Sequence, residues 1–339
     1  MDTSPSAWSE ERSVGQRLMA GFHGTVFSAE LEHLIVDLGV GGLILFKRNV
    51  GSPDQLSALC RAAQECARGC GQPPLIISID QEGGPVARLG HPFTRFPGNP
   101  AIANAEQADD FARITARELS GVGINMNLAP VVDAAPAGFD SIMRDRVFGT
   151  DPEHVGRMGA AVIAGLQSRG IMAVAKHFPG IGRTTLDSHL DLPVFTEGLR
   201  SLEAYDLIPF RRAIAVRVSA VMLAHILYTE LDPQLPASLS RPIVAGLLRG
   251  RMGYDGVVIT DDLEMGAIAR HYGFAEAVRQ VLRAEVDMAL ICHSAGLVAE
   301  ARDRIARRVA SCRKIRTRHE RSLARIRRLK SEYLNGLSG

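Results

Sequence analysis

The residues best equipped for chemistry are carboxylates, histidines and one lysine that follow short apolar runs. Asp261 ends the run Gly256-Val257-Val258-Ile259-Thr260 and is followed at once by Asp262. A carboxylate at a strand tip can serve as a nucleophile. One that opens a helix suits the positive end of the helix dipole, so Asp261 is assigned to chemistry and Asp262 to capping or support. His189 stands two residues after Asp187. A neutral histidine near its working pH is an efficient general acid and base. Asp187 can orient it only through a local turn, because alternate residues of an extended segment do not face each other; without that turn His189 is an ordinary exposed loop residue. One nucleophilic carboxylate with one proton-transfer group describes double-displacement glycoside hydrolysis, here with a histidine where a glutamate is usual.

Other polar residues at run ends could hold the hydroxyls of a sugar. Asp80 closes an apolar run and leads into Gln81-Glu82-Gly83-Gly84-Pro85-Val86-Ala87-Arg88. Its carboxylate can accept from two adjacent hydroxyls, and Arg88 can return over the same mouth after the Gly-Gly turn; the competing readings are a helix cap and a surface ion pair. Arg146 lies in a long loop and could form a two-pronged clamp on an oxygen-rich ligand, or a salt bridge that merely fixes the loop. Lys176 and His177 follow the run 171–175 and are aimed at one place. The stretch after them holds Gly180 and Gly182, so the segment carrying His189 is expected to move and to bring His189 to the site only in some conformers.

These residues need a scaffold that makes strand ends converge. Eight apolar runs, at 18–22, 42–46, 75–79, 124–128, 171–175, 220–224, 257–260 and 288–291, alternate with helix-patterned stretches. Continuous apolar strands between helices indicate a parallel sheet covered on both faces. Eight of them predict an α/β fold of the (β/α)8 barrel type, one domain over residues 1–339. Asp80, Asp133, Lys176, His177, His225 and Asp261 fall just after runs, as groups at the mouth of such a barrel do. There is no Gly-x-Gly-x-x-Gly turn after an early strand and no phosphate loop.

Composition narrows the class. With 46% hydrophobic and 22% charged residues in 339, the chain is an ordinary globular one with ample core. The net charge of +2 argues against nucleic acid as a partner of the whole molecule. Residues 301–330 alone carry +11, which leaves −9 on the rest. This basic stretch, with Ile305, Val309, Cys312, His319, Leu323, Ile326 and Tyr333 at helical spacing, predicts a C-terminal amphipathic helix over about 300–335, docked on the barrel with a solvated basic face. Cys60, Cys66, Cys70, Cys292 and Cys312 form no Cys-x-x-Cys pair and are expected as reduced thiols of a cytoplasmic protein. The N-terminus is polar and acidic, with no secretory signal, and no apolar run is long enough to span a membrane. No metal-ligand set is evident and no cofactor is expected. Oligomerisation leaves no mark, and a monomer is expected.

Read together, the segments Gly41-Gly42-Leu43-Ile44-Leu45-Phe46-Lys47-Arg48-Asn49, Asp80 to Arg88, Ala129-Pro130-Val131-Val132-Asp133, Arg146-Val147-Phe148-Gly149, Lys176-His177-Phe178-Pro179-Gly180 with Asp187-Ser188-His189, and Thr260-Asp261-Asp262 resemble glycoside hydrolase family 3. The resemblance runs nearly the whole chain and is nearest to the single-domain cytoplasmic β-N-acetylhexosaminidases of bacterial peptidoglycan recycling. It implies Asp261 as nucleophile, His189 as acid/base, Asp187 as its partner, and Asp80, Arg88, Arg146, Lys176 and His177 as sugar-binding residues, with Lys176 and His177 as donors to hydroxyls. It also implies the substrate, a terminal β-linked N-acetylglucosamine on an anhydro-muropeptide. Two positions depart from the family. Ile181 stands where the family usually has the histidine of a Gly-His-Gly triplet, so altered loop packing is expected, and Pro85 stands where an arginine is common. Rival readings are a β-N-acetylglucosaminide phosphorylase, a β-glucosidase-type hydrolase, a Schiff-base lyase using Lys176, and a silent sugar-binding protein.

Overall fold

The computed structural model describes residues 10–335; residues 1–9, which carry most of the stretch read for a secretory signal, and 336–339 lie outside the described part. Eight parallel strands close a barrel: β1 (Leu18–Ala20), β2 (Gly42–Leu45), β3 (Ile76–Ile79), β4 (Met126–Asn127), β5 (Met172–Phe178), β6 (Ala220–Leu223), β7 (Val257–Asp262) and β8 (Met288–Ile291). Each pairs with its neighbour in sequence and β8 returns to β1. Every predicted run contributes its strand. The ends differ: β5 runs on through Lys176 and His177 to Phe178, β7 takes in both Asp261 and Asp262, and β4 is shorter than its run.

The strands are apolar throughout because alternate residues enter two different cores. Met19, Ile44, Ile76, Met126, Met172, Val174, Met222, Ile259 and Leu290 fill the barrel interior. Leu18, Leu43, Ile77, Ala173, Val221, Val258 and Ala289 face the surrounding helices. Those helices start where local chemistry dictates. Ser52 accepts from the Gln55 N–H, with Pro53 in the first turn, to open Pro53–Gly69; Asn104 opens Ala105–Gly121; Asp151, with Pro152 after it, opens Pro152–Gln167.

The C-terminal tail departs from expectation. It is two helices, Ala295–Ser311 and Arg313–Leu334, separated by Cys312 in an extended conformation. The first is the eighth outer helix, with Val298, Ala301, Ile305 and Val309 buried. The second crosses the N-terminal end of the barrel and plugs it: Ile326, Leu329 and Leu334 belong to the interior core. Polar contacts tie it to residues just before four strands. Arg325 pairs with Asp255 and Asp287, Ser219 donates to the Tyr333 hydroxyl at 3.0 Å, and the Lys330 ammonium donates to Gln16 Oε1 at 2.7 Å. The basic face is therefore not wholly solvated, since Lys330 is buried under the barrel. All five cysteines are free thiols. Among the described residues no helix is long and apolar enough to cross a membrane.

Burial pushes the Lys330 amine down to about 7, against an ordinary 10.5. A lysine whose folded pKa lies below its unfolded one binds fewer protons folded than unfolded between those values, so its contribution to stability improves as pH rises through that window. Lys330→Met removes the titration. In urea unfolding at about pH 6 and about pH 9, the wild type should gain relative to Lys330→Met at the higher pH. A difference independent of pH would show that Lys330 does not titrate in this window.

Candidate active site

The C-terminal ends of the strands surround a cavity of about 330 Å³. Asp80, Arg88, Arg146, Lys176, His177, His189 and Asp261 all line it. Of the predicted site residues only Asp187 does not, and it reaches the cavity through His189.

The floor is a buried chain of alternating charge. Lys176, at the end of β5, donates from one ammonium to Asp80 Oδ1 at 2.7 Å and lies 2.7 Å from Glu82 Oε1. Arg88 donates to the other oxygen of Asp80 at 3.2 Å. Arg146 grips Glu82 with two parallel bonds, from Nε at 3.0 Å and Nη2 at 2.8 Å. Burial by itself would raise the Asp80 carboxyl, but Lys176 and Arg88 outweigh it and hold it at about 2. Burial likewise opposes ionisation of Glu82 and Lys176, and in both their partners win: Lys176 and Arg146 pull Glu82 below the usual range, and Asp80 and Glu82 lift Lys176 above it. Three permanent ions are thereby fixed beneath the cavity. Nε and Nη2 of Arg146 thus clamp Glu82, the loop-fixing salt bridge that was the other reading of this residue, while the residue still lines the cavity. Two of the three Lys176 protons are committed to carboxylates, leaving one for a ligand.

His177 is held from behind. Its Nδ1 lies 2.8 Å from Asp133 Oδ2, and Asp133 also accepts from the backbone N–H groups of His177 and of Ile181. The Lys176–His177 peptide is cis, and both side chains line the cavity. With Nδ1–H donated to Asp133, the free Nε2 of a neutral ring accepts; it donates only when the ring is protonated.

On the other side, Asp261 is the only partly exposed residue of β7. Asp262 does not open a helix, since the next one begins at Gly266. It accepts instead from the N–H groups of Glu264 and Cys292, tying β7 to the end of β8. Burial pushes the Asp262 carboxyl up to about 7, with the Glu264 and Asp261 charges adding to the effect. His225 is a support and not a cavity residue. Its Nε2 lies 2.9 Å from the Asp262 carbonyl oxygen and its Nδ1 2.7 Å from the Ser238 hydroxyl, while burial lowers its pKa and keeps it neutral.

The local turn that the Asp187–His189 pair requires is present. The Asp187 carbonyl accepts from the N–H groups of Leu190 and Asp191, and Asp187 Oδ1 takes both the His189 N–H at 2.9 Å and the ring Nδ1 at 2.7 Å. His189 keeps 68% of its side chain exposed, with its other nitrogen free. In this conformer the segment carrying His189 is docked, with Ala267 and Gly266 N–H groups donating to the Ser188 and His189 carbonyls at 3.1 and 3.3 Å. A Cβ on Gly266 would collide with the His189 carbonyl oxygen, so glycine is required for this approach. Ile181 is buried in the loop. Pro85 lies in the turn between the short strands Gln81–Gly83 and Val86–Ala87.

Sequence reasoning missed Glu82, gave Asp133 no role, and overlooked the wall made by Phe46, His293 and Met265. His293 stacks on Phe46 at 5.8 Å and the Arg48 guanidinium covers the same ring at 4.4 Å. Glu82 was detectable in principle: it is two residues from Asp80, where a strand-like spacing puts both on one face.

The Glycosyl hydrolase family 3 N terminal domain profile matches residues 11–329. The chain belongs to this family. A β-hexosaminidase of Alkalilimnicola ehrlichii is 39% identical over 285 residues, covering 81% of this chain and 80% of that protein. A family 3 β-N-acetylglucosaminidase from Paenibacillus superposes with a TM-score of 0.92 at 41% identity, covering 96% of this chain, which spans only 63% of that longer one. NagZ from Neisseria gonorrhoeae in complex with N-trifluoroacetyl-D-glucosamine superposes with a TM-score of 0.76 at 30% identity, covering 91% and 98% of the two chains.

Glu82→Ala would leave Lys176 and Arg146 buried without one of their carboxylates, and is expected to lower unfolding stability by about 3–5 kcal/mol in denaturant titration. Glu82→Gln should lose less, since its amide oxygen still accepts from one cation. Equal stability of Glu82→Ala and wild type would show that the floor does not depend on this carboxylate. The depressed Asp80 carboxyl gives a stabilisation that is complete above its ordinary 3.8 and is lost as pH falls towards about 2.

Proposed function

We propose that the protein is a retaining exo-β-N-acetylglucosaminidase that removes the non-reducing terminal β-linked N-acetylglucosamine of anhydro-muropeptides, in the cytoplasm, during peptidoglycan recycling. The observation that carries the reading is a carboxylate, Asp261, and a carboxylate-backed histidine, His189, on one cavity with a polar floor. The sugar class comes from the relatives, among them the Neisseria NagZ complex and the β-hexosaminidase of Alkalilimnicola.

In this reading the sugar lies on the floor. The free acceptor positions of Asp80, the remaining Lys176 proton, Arg88 and the Nε2 of His177 meet its hydroxyls, while Glu82 keeps Lys176 and Arg146 in place. Asp261 attacks the anomeric carbon as the bond to the leaving oxygen breaks. His189 gives that oxygen a proton, and a covalent glycosyl-Asp261 ester results. Water then enters. His189, now neutral, takes a proton from it, the water oxygen bonds to the anomeric carbon, and Asp261 leaves as carboxylate. Asp187 keeps the ring oriented and offsets its positive charge while His189 is protonated. A neutral histidine repels an incoming phosphate less than a carboxylate would, so transfer to phosphate is the second reading; sugar 1-phosphate as the main product in phosphate buffer would favour it.

The experiment is release of nitrophenol from nitrophenyl N-acetyl-β-D-glucosaminide. Asp261→Ala should abolish activity, His189→Ala should lower kcat by about 10²–10⁴-fold, and Asp187→Ala should lower it less than His189→Ala does. A well-folded Asp261→Ala with wild-type turnover would remove Asp261 as the nucleophile. Preference for the corresponding glucoside would overturn the sugar assignment.

A further inference from the structure

The segment from the end of β5 to His189 is anchored outside the cavity by a side chain that the reaction scheme does not use. Arg183 lies four residues before Asp187 and does not line the cavity. Its Nε donates to Asp206 Oδ2 at 3.1 Å, its Nη2 donates to the same carboxylate, and its Nη1 donates to Glu197. The guanidinium also covers the Phe195 ring, 4.7 Å from the centroid, and lies 5.7 Å from that of Tyr205. The side chain of Asp206 is 1% exposed and that of Arg183 14%. Asp206 immediately precedes the helix Leu207–Ala215, yet its side chain makes no capping bond to that helix. It is spent on Arg183.

The same short segment is held at neighbouring points. The Tyr228 hydroxyl donates to the Gly180 carbonyl at 2.7 Å, and Asp133, which also fixes His177, accepts from the Ile181 N–H. A Cβ on Gly180 would collide with Asp206, and one on Gly182 with the Ala134 carbonyl, so the backbone passes these groups at glycine distance. Beyond Arg183 only Thr184, Thr185 and Leu186 intervene before Asp187. Burial pushes the Asp206 carboxyl up to about 6 even against Arg183, so it is poorly suited to remain ionised without that partner.

We infer that Arg183 is a positioning residue of the acid/base step: clamped on Asp206 and Glu197 and packed on Phe195, it sets where the Asp187–His189 pair stands relative to the leaving-group oxygen. The inference rests on the reading of His189 as acid/base. An arginine in this place serves because a planar fork can take a buried carboxylate from two nitrogens, reach a second carboxylate and lie on an aromatic face at once, which a lysine cannot do.

The test separates proton delivery from everything else. A dinitrophenyl leaving group departs without a proton, whereas a phenyl leaving group needs one. With N-acetyl-β-D-glucosaminides of phenol, nitrophenol and dinitrophenol, Arg183→Ala should lower kcat/KM on the phenyl substrate by about 10–100-fold and on the dinitrophenyl substrate by less than about threefold, since proton transfer is what is lost. His189→Ala should show the same pattern, more steeply. Arg183→Lys should fall between Arg183→Ala and wild type, and it carries the comparison if Arg183→Ala does not fold. An equal fall across the three substrates, or none, in folded protein overturns the inference and assigns Arg183 to stability alone. His189→Ala with no leaving-group dependence would sink the acid/base reading itself, and this inference with it.

Discussion

Lys176 is the charge about which the upper half of the molecule is arranged. A buried ammonium is tolerable only where carboxylates meet it, and Asp80 and Glu82 do so at 2.7 Å each. Those two carboxylates in turn require Arg88 and Arg146, so five ions from β5, the β3 end and the long loop after β4 are bound into one unit. Removing any one leaves its neighbours uncompensated in a low-dielectric setting. The cavity floor is thus both a sugar-binding surface in the proposed reaction and the element that holds three segments in register.

The opposite end of the barrel solves a different problem. An eight-stranded barrel has an apolar interior open at both ends, and at the N-terminal end Ile326, Leu329 and Leu334 close it. The helix that carries them is strongly basic, and its charge is answered by Asp255 and Asp287 at the strand starts. The concentration of positive charge in residues 301–330 is thereby explained in part by local partners.

Between floor and plug, the two groups assigned to bond making and breaking are supported in opposite ways. Asp261 is part of a strand, with Asp262 and His225 fixing the backbone around it. His189 stands on a turn, exposed, with Asp187 against its ring. A nucleophile must meet one carbon, so rigidity serves it; an acid/base must meet a leaving group in one step and water in the next, and an exposed ring on an anchored loop can do both.

The eight strands and their convergence were legible in the chain because a strand buried on both faces must be apolar at every position, and that leaves a signal within each short window. Polar residues at the ends of those runs, Asp80, Lys176, His177 and Asp261, were legible for the same reason: they break the apolar pattern at the point where the barrel opens. Partnerships were not. Glu82 as the object of the Arg146 clamp, Asp133 behind His177, and Asp206 under Arg183 each join residues at least twenty-three apart. A carboxylate that neutralises a buried cation looks, in sequence, like any surface acid. The tail's pattern predicts an amphipathic segment docked on the barrel but not where, because the pattern of a helix shows that it has an apolar face and not what that face covers. Only closure of the barrel, which leaves one apolar end uncovered, decides that the last helix lies across it.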